Sequence, residues 1–177
     1  IVVENLRPAR PQWGITSPDI ICEGEVEGGI SRMLWLYADT KDVPEKVGPL
    51  RSARPSYVKF SKFFDAIFIH WGGSHSTKNY TGGYETIKKE KVNNIDGMSG
   101  GELFSRDTTR KVSSEHRGVL NGKKIKKAIE KKGYRTELKD SSFSPLHFNS
   151  TVAPAGADGA TSVGVKFSDR TDTRKFT

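Results

Sequence analysis

The stretch from residue 20 to residue 38 constrains the fold more than any other part of the sequence. Ile20, Cys22 and Val26 share one parity, while Asp19, Glu23, Glu25 and Glu27 share the other, which is the two-residue period of a half-buried strand. Gly28-Gly29 interrupts the pattern, and residues 30–38 resume as a second apolar run. Paired glycines reach positive φ without a Cβ clash, so the stretch reads as two strands joined by a tight turn. A helix over 18–27 competes, because Ser17-Pro18 also resembles a helix start.

The same alternation of short elements continues along the chain. Val2 and Val3 read as a strand. After Pro55, Tyr57, Phe60, Phe63 and Phe64 recur at helical spacing and predict a helix. Residues 66–71 form a buried strand ending in Gly72-Gly73, and 84–91 predict another short helix. Residues 118–139 hold the clearest helix. Asn121 is its N-cap, Ile125, Ala128 and Ile129 form its apolar stripe, and Gly133 is placed to end it. Strands alternating with helices predict an α/β fold, a mixed β-sheet flanked by helices. No internal repeat is present.

With 177 residues, of which 34% are hydrophobic, the chain suffices for one ordinary domain or a domain plus part of a second. The longest apolar runs, such as 33–38, are far too short to cross a bilayer. The single cysteine, Cys22, excludes an intramolecular disulfide framework and a cysteine-built zinc site. Because the chain opens at Ile1 rather than Met, the expectation is a fragment with a leader, and a signal or anchor segment, upstream. Residues 149–162, rich in Ala, Gly, Ser and Thr, read as a linker after a domain at 1–148. Val163, Val165 and Phe167 then alternate as a strand, which either returns to the main sheet or, in residues 163–177, opens a truncated C-terminal domain.

Charge is concentrated. Lys and Arg outnumber Asp and Glu by 29 to 21, a formal net charge of +8. Residues 118–139 alone carry eight basic residues against Glu130 and Glu137. A solvated outer helix face accounts for these lysines better than a nucleic-acid or anionic-membrane surface, and nucleic acid is further disfavoured because no aromatic side chains are interleaved to stack on bases.

Three segments carry residues suited to chemistry. The densest is Gly48-Pro49-Leu50-Arg51-Ser52-Ala53-Arg54-Pro55. Arg51 and Arg54 at a helix N-terminus combine free backbone N–H groups with two guanidinium forks, which suits a phosphate or carboxylate. Pairing of both arginines with Glu23, Glu25 and Glu27 explains the same charges without a ligand. The second segment, Phe104-Ser105-Arg106-Asp107-Thr108-Thr109-Arg110 followed by His116, offers two more cations, with Asp107 and His116 as candidates for a base and its partner. Spacing gives no support to Ser52 or Ser105 as a nucleophile, and G-x-S-x-G, P-loop and H-E-x-x-H motifs are absent. The third segment comprises the glycine turns at 71–75 and 96–101, placed where α/β sheets often bind ligands but matching no phosphate-binding fingerprint. His70, His75, His116 and His147 read as ordinary histidines rather than metal ligands, and neither a metal nor a cofactor is implied.

These residues together resemble a known family. Ala9-Arg10-Pro11-Gln12 through Gly14, Pro18-Asp19-Ile20 and Glu25-Val26-Glu27-Gly28-Gly29-Ile30-Ser31-Arg32 resemble the opening of the YerB-like family of predicted bacterial lipoproteins, a domain of unknown function. Val47 to Pro55, Asp65-Ala66-Ile67, Gly72-Gly73-Ser74, Asp96-Gly97 and the 104–110 segment follow in the family's order. The resemblance covers roughly residues 5 to 135. One departure is Ser114-Glu115-His116-Arg117-Gly118, where family members carry a Pro-His-Asn-Leu-Tyr-like run and only His116 keeps its place. The resemblance implies a second, C-terminal domain, export, and a lipid anchor on an upstream cysteine; Cys22 lies within the motif region and is not that anchor. The family brings no established reaction.

The expectation from residues and resemblance together is an extracytoplasmic, membrane-anchored binding module of the cell envelope. Arg51, Ser52, Arg54, Arg106 and Arg110 would line a cleft for an anionic small molecule or envelope polymer, with Glu25 and Glu27 positioning the arginines and Gly72 and Gly73 allowing close approach. Two alternatives stand beside it. One is a hydrolase or transferase acting on a phosphorylated or acidic envelope substrate through Asp107 or His116, and the other is a structural or protein-interaction module.

Overall fold

The computed structural model describes residues 1–146, 161–169 and 171–176. Strands β1 (Val2–Glu4), β2 (Ile20–Val26) and β3 (Ile30–Leu36) form an antiparallel sheet in the order β1-β3-β2. The hairpin expected around Gly28-Gly29 is present: Val26 faces Ile30, Gly28 and Gly29 adopt φ of 77° and 68°, and the competing helix over 18–27 does not form. β3 is central, and its residues 31–35 are all buried, which explains its nearly unbroken apolar run.

Both faces of this sheet are covered. Val2 and Leu34 pack beneath helix α1 (Pro55–Phe63) and helix α2 (Gly83–Glu90), together with Tyr57, Val58, Phe68 and Ile87. On the opposite face Val3, Met33 and Trp35 join Leu50 and Leu120 and the inner side of helix α3 (Ile125–Lys132). The stripe read from the sequence holds, since Ile125 and Ile129 are buried. Gly133 closes the helix in the left-handed region, but Asn121, accepting from the Lys123 amide at 3.1 Å, caps a single 3-10 turn over Gly122–Lys124, and the N-cap position of α3 itself is Lys124.

Three smaller pairs complete the mixed α/β architecture: parallel β4 (Phe68–His70) with β5 (Asn94–Asp96), antiparallel β6 (Phe104–Arg106) with β7 (Gly118–Leu120), and antiparallel β8 (Val163–Val165) with β9 (Arg174–Phe176). The strand expected at Val163 therefore pairs with the chain just after it. It is tied to the body by Arg7 and Arg10, which both reach Asp172 at 2.7 Å, and by Ser168 donating to the Gly29 carbonyl. All but the last two residues of the expected linker, and His147, lie outside the described residues.

An extended segment, residues 47–53, stitches these pieces together. Val47 exchanges both backbone hydrogen bonds with Leu120, Gly48 exchanges both with Trp13, and Leu50 N donates to Gly118 O. Glu4 N donates to Pro49 O and Arg51 N to Val2 O, while Ala53 N donates to Gly72 O. One segment thus satisfies backbone groups of β1, β7 and the turns at 13 and 72, groups that would be costly to bury unpaired.

The helix expected after Pro55 forms, but its aromatic spacing does not mark the buried side. The inner face of α1 consists of Tyr57, Val58 and Ser61, whereas Phe60 and Phe63 point outward, 47% and 50% exposed. Positions 57, 58 and 61 share one side of a 3.6-residue helix, and 60 and 63 fall on the other. A serine occupies the third inward position, its hydroxyl satisfied by the Ala66 carbonyl at 3.2 Å, so apolar periodicity alone selects the wrong face.

Gly48 is the tightest point of the stitching segment. Its φ is 148°, and a Cβ there would sit 2.6 Å from the Gly118 carbonyl oxygen. Gly48→Ala is expected to destabilise the fold by at least about 2 kcal/mol, from backbone strain and overpacking together. The measurement is a fall in denaturant midpoint at unchanged m-value.

Candidate functional site

The site begins with a strand register. β1 pairs with β3 so that Glu4 lies opposite Arg32, and both side chains are buried, at 1% and 4% exposure. Buried charges persist only when they are compensated. The stitching segment brings Arg51 to Glu4, with Nε 3.3 Å from the carboxylate, and the turn at 114–116 brings His116, with Nδ1 2.9 Å away. Glu115 closes the outer side, 3.7 Å from Arg51 and 3.5 Å from His116 Nε2.

Arg32 also reaches forward, donating to the Ser52 carbonyl at 2.9 Å and lying 3.6 Å from Glu27. Arg54, at the N-cap of α1, grips Glu27 with both arms of its fork, one at 2.7 Å. Arg32, Arg51 and Arg54 therefore cluster around Ser52, facing Glu4 and Glu27. Burial first, and then the neighbouring Arg54 charge, lower the Arg32 pKa to about 10. Its Nε is buried with no hydrogen-bond partner among the described residues.

The second arginine segment divides. Arg106 lies over the Trp71 ring at 4.8 Å and donates to the Ser114 carbonyl, so it meets Arg51 at the 114–116 turn. Arg110 turns away, stacking 3.6 Å from the Trp13 ring centroid and donating to the Ala9 and Pro11 carbonyls. Asp107 belongs to this other group. Its carboxylate pairs with Lys46 and accepts from Thr109 and Arg110 amides, and the Lys46 hydrogen bond foremost holds it well below the usual carboxylate range. Asp107 and His116 thus have different side-chain partners, Lys46 for one and Glu4 for the other.

The remaining candidates take distinct places. A Cβ on Gly72 would meet Ser52 Oγ at 3.4 Å, and one on Gly73 would meet the Tyr84 ring at 3.0 Å, so Gly72 alone adjoins the arginine segment's side chains. Glu25 is exposed, facing Ser31 across the hairpin, and Ser105 is exposed on β6. His70 is fully buried, bonded to Gly72 O at 2.7 Å, while His75 is exposed beside the Tyr84 ring. Two participants were not singled out from the sequence. Arg32 is the lone cation within an apolar strand and Glu4 the acid ending another, and a charge at a position whose neighbours are buried was the available signal.

With this geometry in place, three comparisons place the chain among known proteins. The sequence model described as "Protein of unknown function (DUF3048) N-terminal domain" matches residues 1–135. The chain is 38% identical over 153 residues to "Putative lipoprotein YerB" of Bacillus subtilis (strain 168), covering 86% of this chain and 43% of that protein. The crystal structure of YerB protein from Bacillus subtilis superposes with a TM-score of 0.64 at 34% identity, over 77% of this chain and 44% of that one. The chain spans less than half the length of these relatives. All three agree with the resemblance read from the motifs.

The Glu27 pair sets an acid limb. The hydrogen bonds from Arg54, foremost, lower the Glu27 pKa from 4.5 to about 2. A depressed carboxylate pKa contributes stability that is complete above 4.5 and is lost as pH falls from there through about 2. Acid unfolding of Glu27→Gln, followed by circular dichroism, is expected to show a shallower loss of stability in that window than the parent protein.

Proposed function

The chain belongs to the DUF3048 N-terminal-domain family, and on that premise we propose that it is an exported, lipid-anchored envelope protein whose arginine cluster captures an anionic ligand. The anchor is read from the name of its Bacillus relative, "Putative lipoprotein YerB", and would lie on a cysteine upstream of Ile1. No helix among the described residues is long and apolar enough to cross a membrane. The β8–β9 hairpin, beyond the matched residues 1–135, is the start of the C-terminal domain in this reading.

One observation carries the ligand assignment: Arg32 and Arg54 converge on the Glu27 carboxylate at the N-cap of α1, while Arg51, three residues before Arg54, lies on Glu4 and Glu115. Amides in a helix's first turn have no intrahelical acceptor, and like charges packed together are relieved by an anion. Glu27 and Glu115, both largely exposed, stand at the outer edge. Glu27 holds Arg54 as a ligand carboxylate or phosphate would, so binding exchanges an internal carboxylate for the external anion. Arg106 completes the inner rim through the 114–116 turn, while Arg110 and Asp107 hold the flanking loop.

Isothermal titration with inorganic phosphate, glycerol phosphate and citrate tests this reading. Arg51→Ala and Arg54→Ala are each expected to weaken the preferred anion by about 1.5–3 kcal/mol, roughly tenfold to a hundredfold. Glu27→Gln is expected to tighten it, because the competing carboxylate is gone. Equal affinity in charge-reversed Arg51→Glu/Arg54→Glu, with melting confirming the fold, would sink the assignment.

A second reading rests on His116. A buried carboxylate on Nδ1 fixes the ring tautomer and orients Nε2, the arrangement of a general acid–base. In that reading the cluster binds a phosphorylated substrate for hydrolysis or transfer. Turnover of a phosphomonoester that disappears in His116→Gln while phosphate still binds would select it over simple capture.

A further inference from the structure

α1 is apolar on both sides. Its inner side supplies Tyr57 and Val58 to the core, yet its outer side presents Phe60 and Phe63, each about half exposed, beside Lys59 and Lys62. Beyond the helix, Phe143 stacks edge-on against Phe63 at 6.3 Å and is itself 36% exposed. Between them lies an open hollow of about 600 Å³, with Lys139 on its rim. Exposing several large aromatic rings together is costly in water, and grouped exposure of this kind marks a surface that meets something else.

The charges around the rings indicate what that partner is. Three carboxylates face the hollow, and each is engaged: Asp65 by Arg135 and the Lys139 amide, Glu90 by Lys62 at 2.5 Å, and Asp140 by Ser142. Lys59 and Lys139 form no ion pair within 4 Å among the described residues. The surface therefore offers aromatic rings with amines on flexible stems beside them.

We propose that the outer face of α1, with Phe60, Phe63 and Phe143, docks onto an anionic phospholipid bilayer. The rings enter the boundary between headgroups and acyl chains, while Lys59 and Lys139 extend to lipid phosphates. A soluble polyanion would satisfy the amines but leave the rings in water. The inference rests on the reading that the protein works at a membrane, and it gives the domain a fixed orientation there beyond what a flexible tether provides.

The test is co-sedimentation of the full chain, without lipid modification, with phosphatidylglycerol–phosphatidylcholine vesicles and with phosphatidylcholine vesicles. Binding is expected to the anionic vesicles and to weaken as salt is raised. Phe60→Ser/Phe63→Ser is expected to lower partitioning at least about tenfold, and Lys59→Glu to lower it as well. Lys126→Glu/Lys127→Glu, on the exposed side of α3, is expected to retain most of it. Equal binding to both vesicle types, unchanged binding in the phenylalanine variant, or loss confined to the α3 variant would each overturn the proposal. So would a dimer, seen by analytical ultracentrifugation without lipid, that the phenylalanine variant dissolves. Phosphate titration of the same variants keeps the outcomes separate: intact phosphate affinity with absent vesicle binding rejects the docking face alone.

Discussion

The backbone pairing of residues 47–53 is the constraint on which the rest of the structure depends. Each of the small sheets is too short to be stable in isolation, since two-stranded pairs are marginal in water. They become one body because a single extended segment exchanges hydrogen bonds with Trp13, β1, β7 and the 72–73 turn. At Gly48 the approach needs the absence of a side chain, because a Cβ there would meet the Gly118 carbonyl at 2.6 Å. The same backbone carries Arg51 and Ser52 and ends at Arg54. Framework and candidate site are therefore one piece of chain, and the arginines are positioned by main-chain bonds rather than by loops free to wander.

The electrostatic design follows from that placement. Glu4 is nearly inaccessible, so its carboxylate needs the compensation that Arg51 and His116 bring from elsewhere in the sequence. Removing a partner would strand a charge in a low-dielectric interior. Arg32 is held only partly in the same way, through the Ser52 carbonyl and a longer approach to Glu27. Arg32, Arg51 and Arg54 share three carboxylates, Glu4, Glu27 and Glu115, in one network, which separates them from the isolated Lys46–Asp107 pair.

Much of this was legible from residue patterns. The β2–β3 hairpin was readable because alternation and a glycine pair agree, and α3 because stripe and terminator fall at their proper spacings, although Asn121 caps the 3-10 turn before it. Arg51 and Arg54 stood out as charges at a helix start. What remained hidden depends on pairings between distant segments. No local signal links Glu4 to His116, or sends Asp107 to Lys46 rather than to His116, because those choices are made by strand register and by where the 47–53 segment runs. The inner face of α1 was hidden for a different reason: Ser61 is buried through a single hydrogen bond, while two phenylalanines are exposed, inverting the usual relation between polarity and burial.

The pairing of Glu4 with His116 across 112 positions has a kinetic consequence. Val47 likewise finds its backbone partner only in Leu120. Contacts of such long sequence separation require large loops to close before any stabilisation returns, so they are made late. A nascent chain that has not yet reached β7 holds nearly equal numbers of basic and acidic residues, but Glu4 and His116 have not yet been brought together. The cluster thus assembles in one cooperative step when nearly the whole domain is present, and the domain stays extended and open to handling by other factors until that moment.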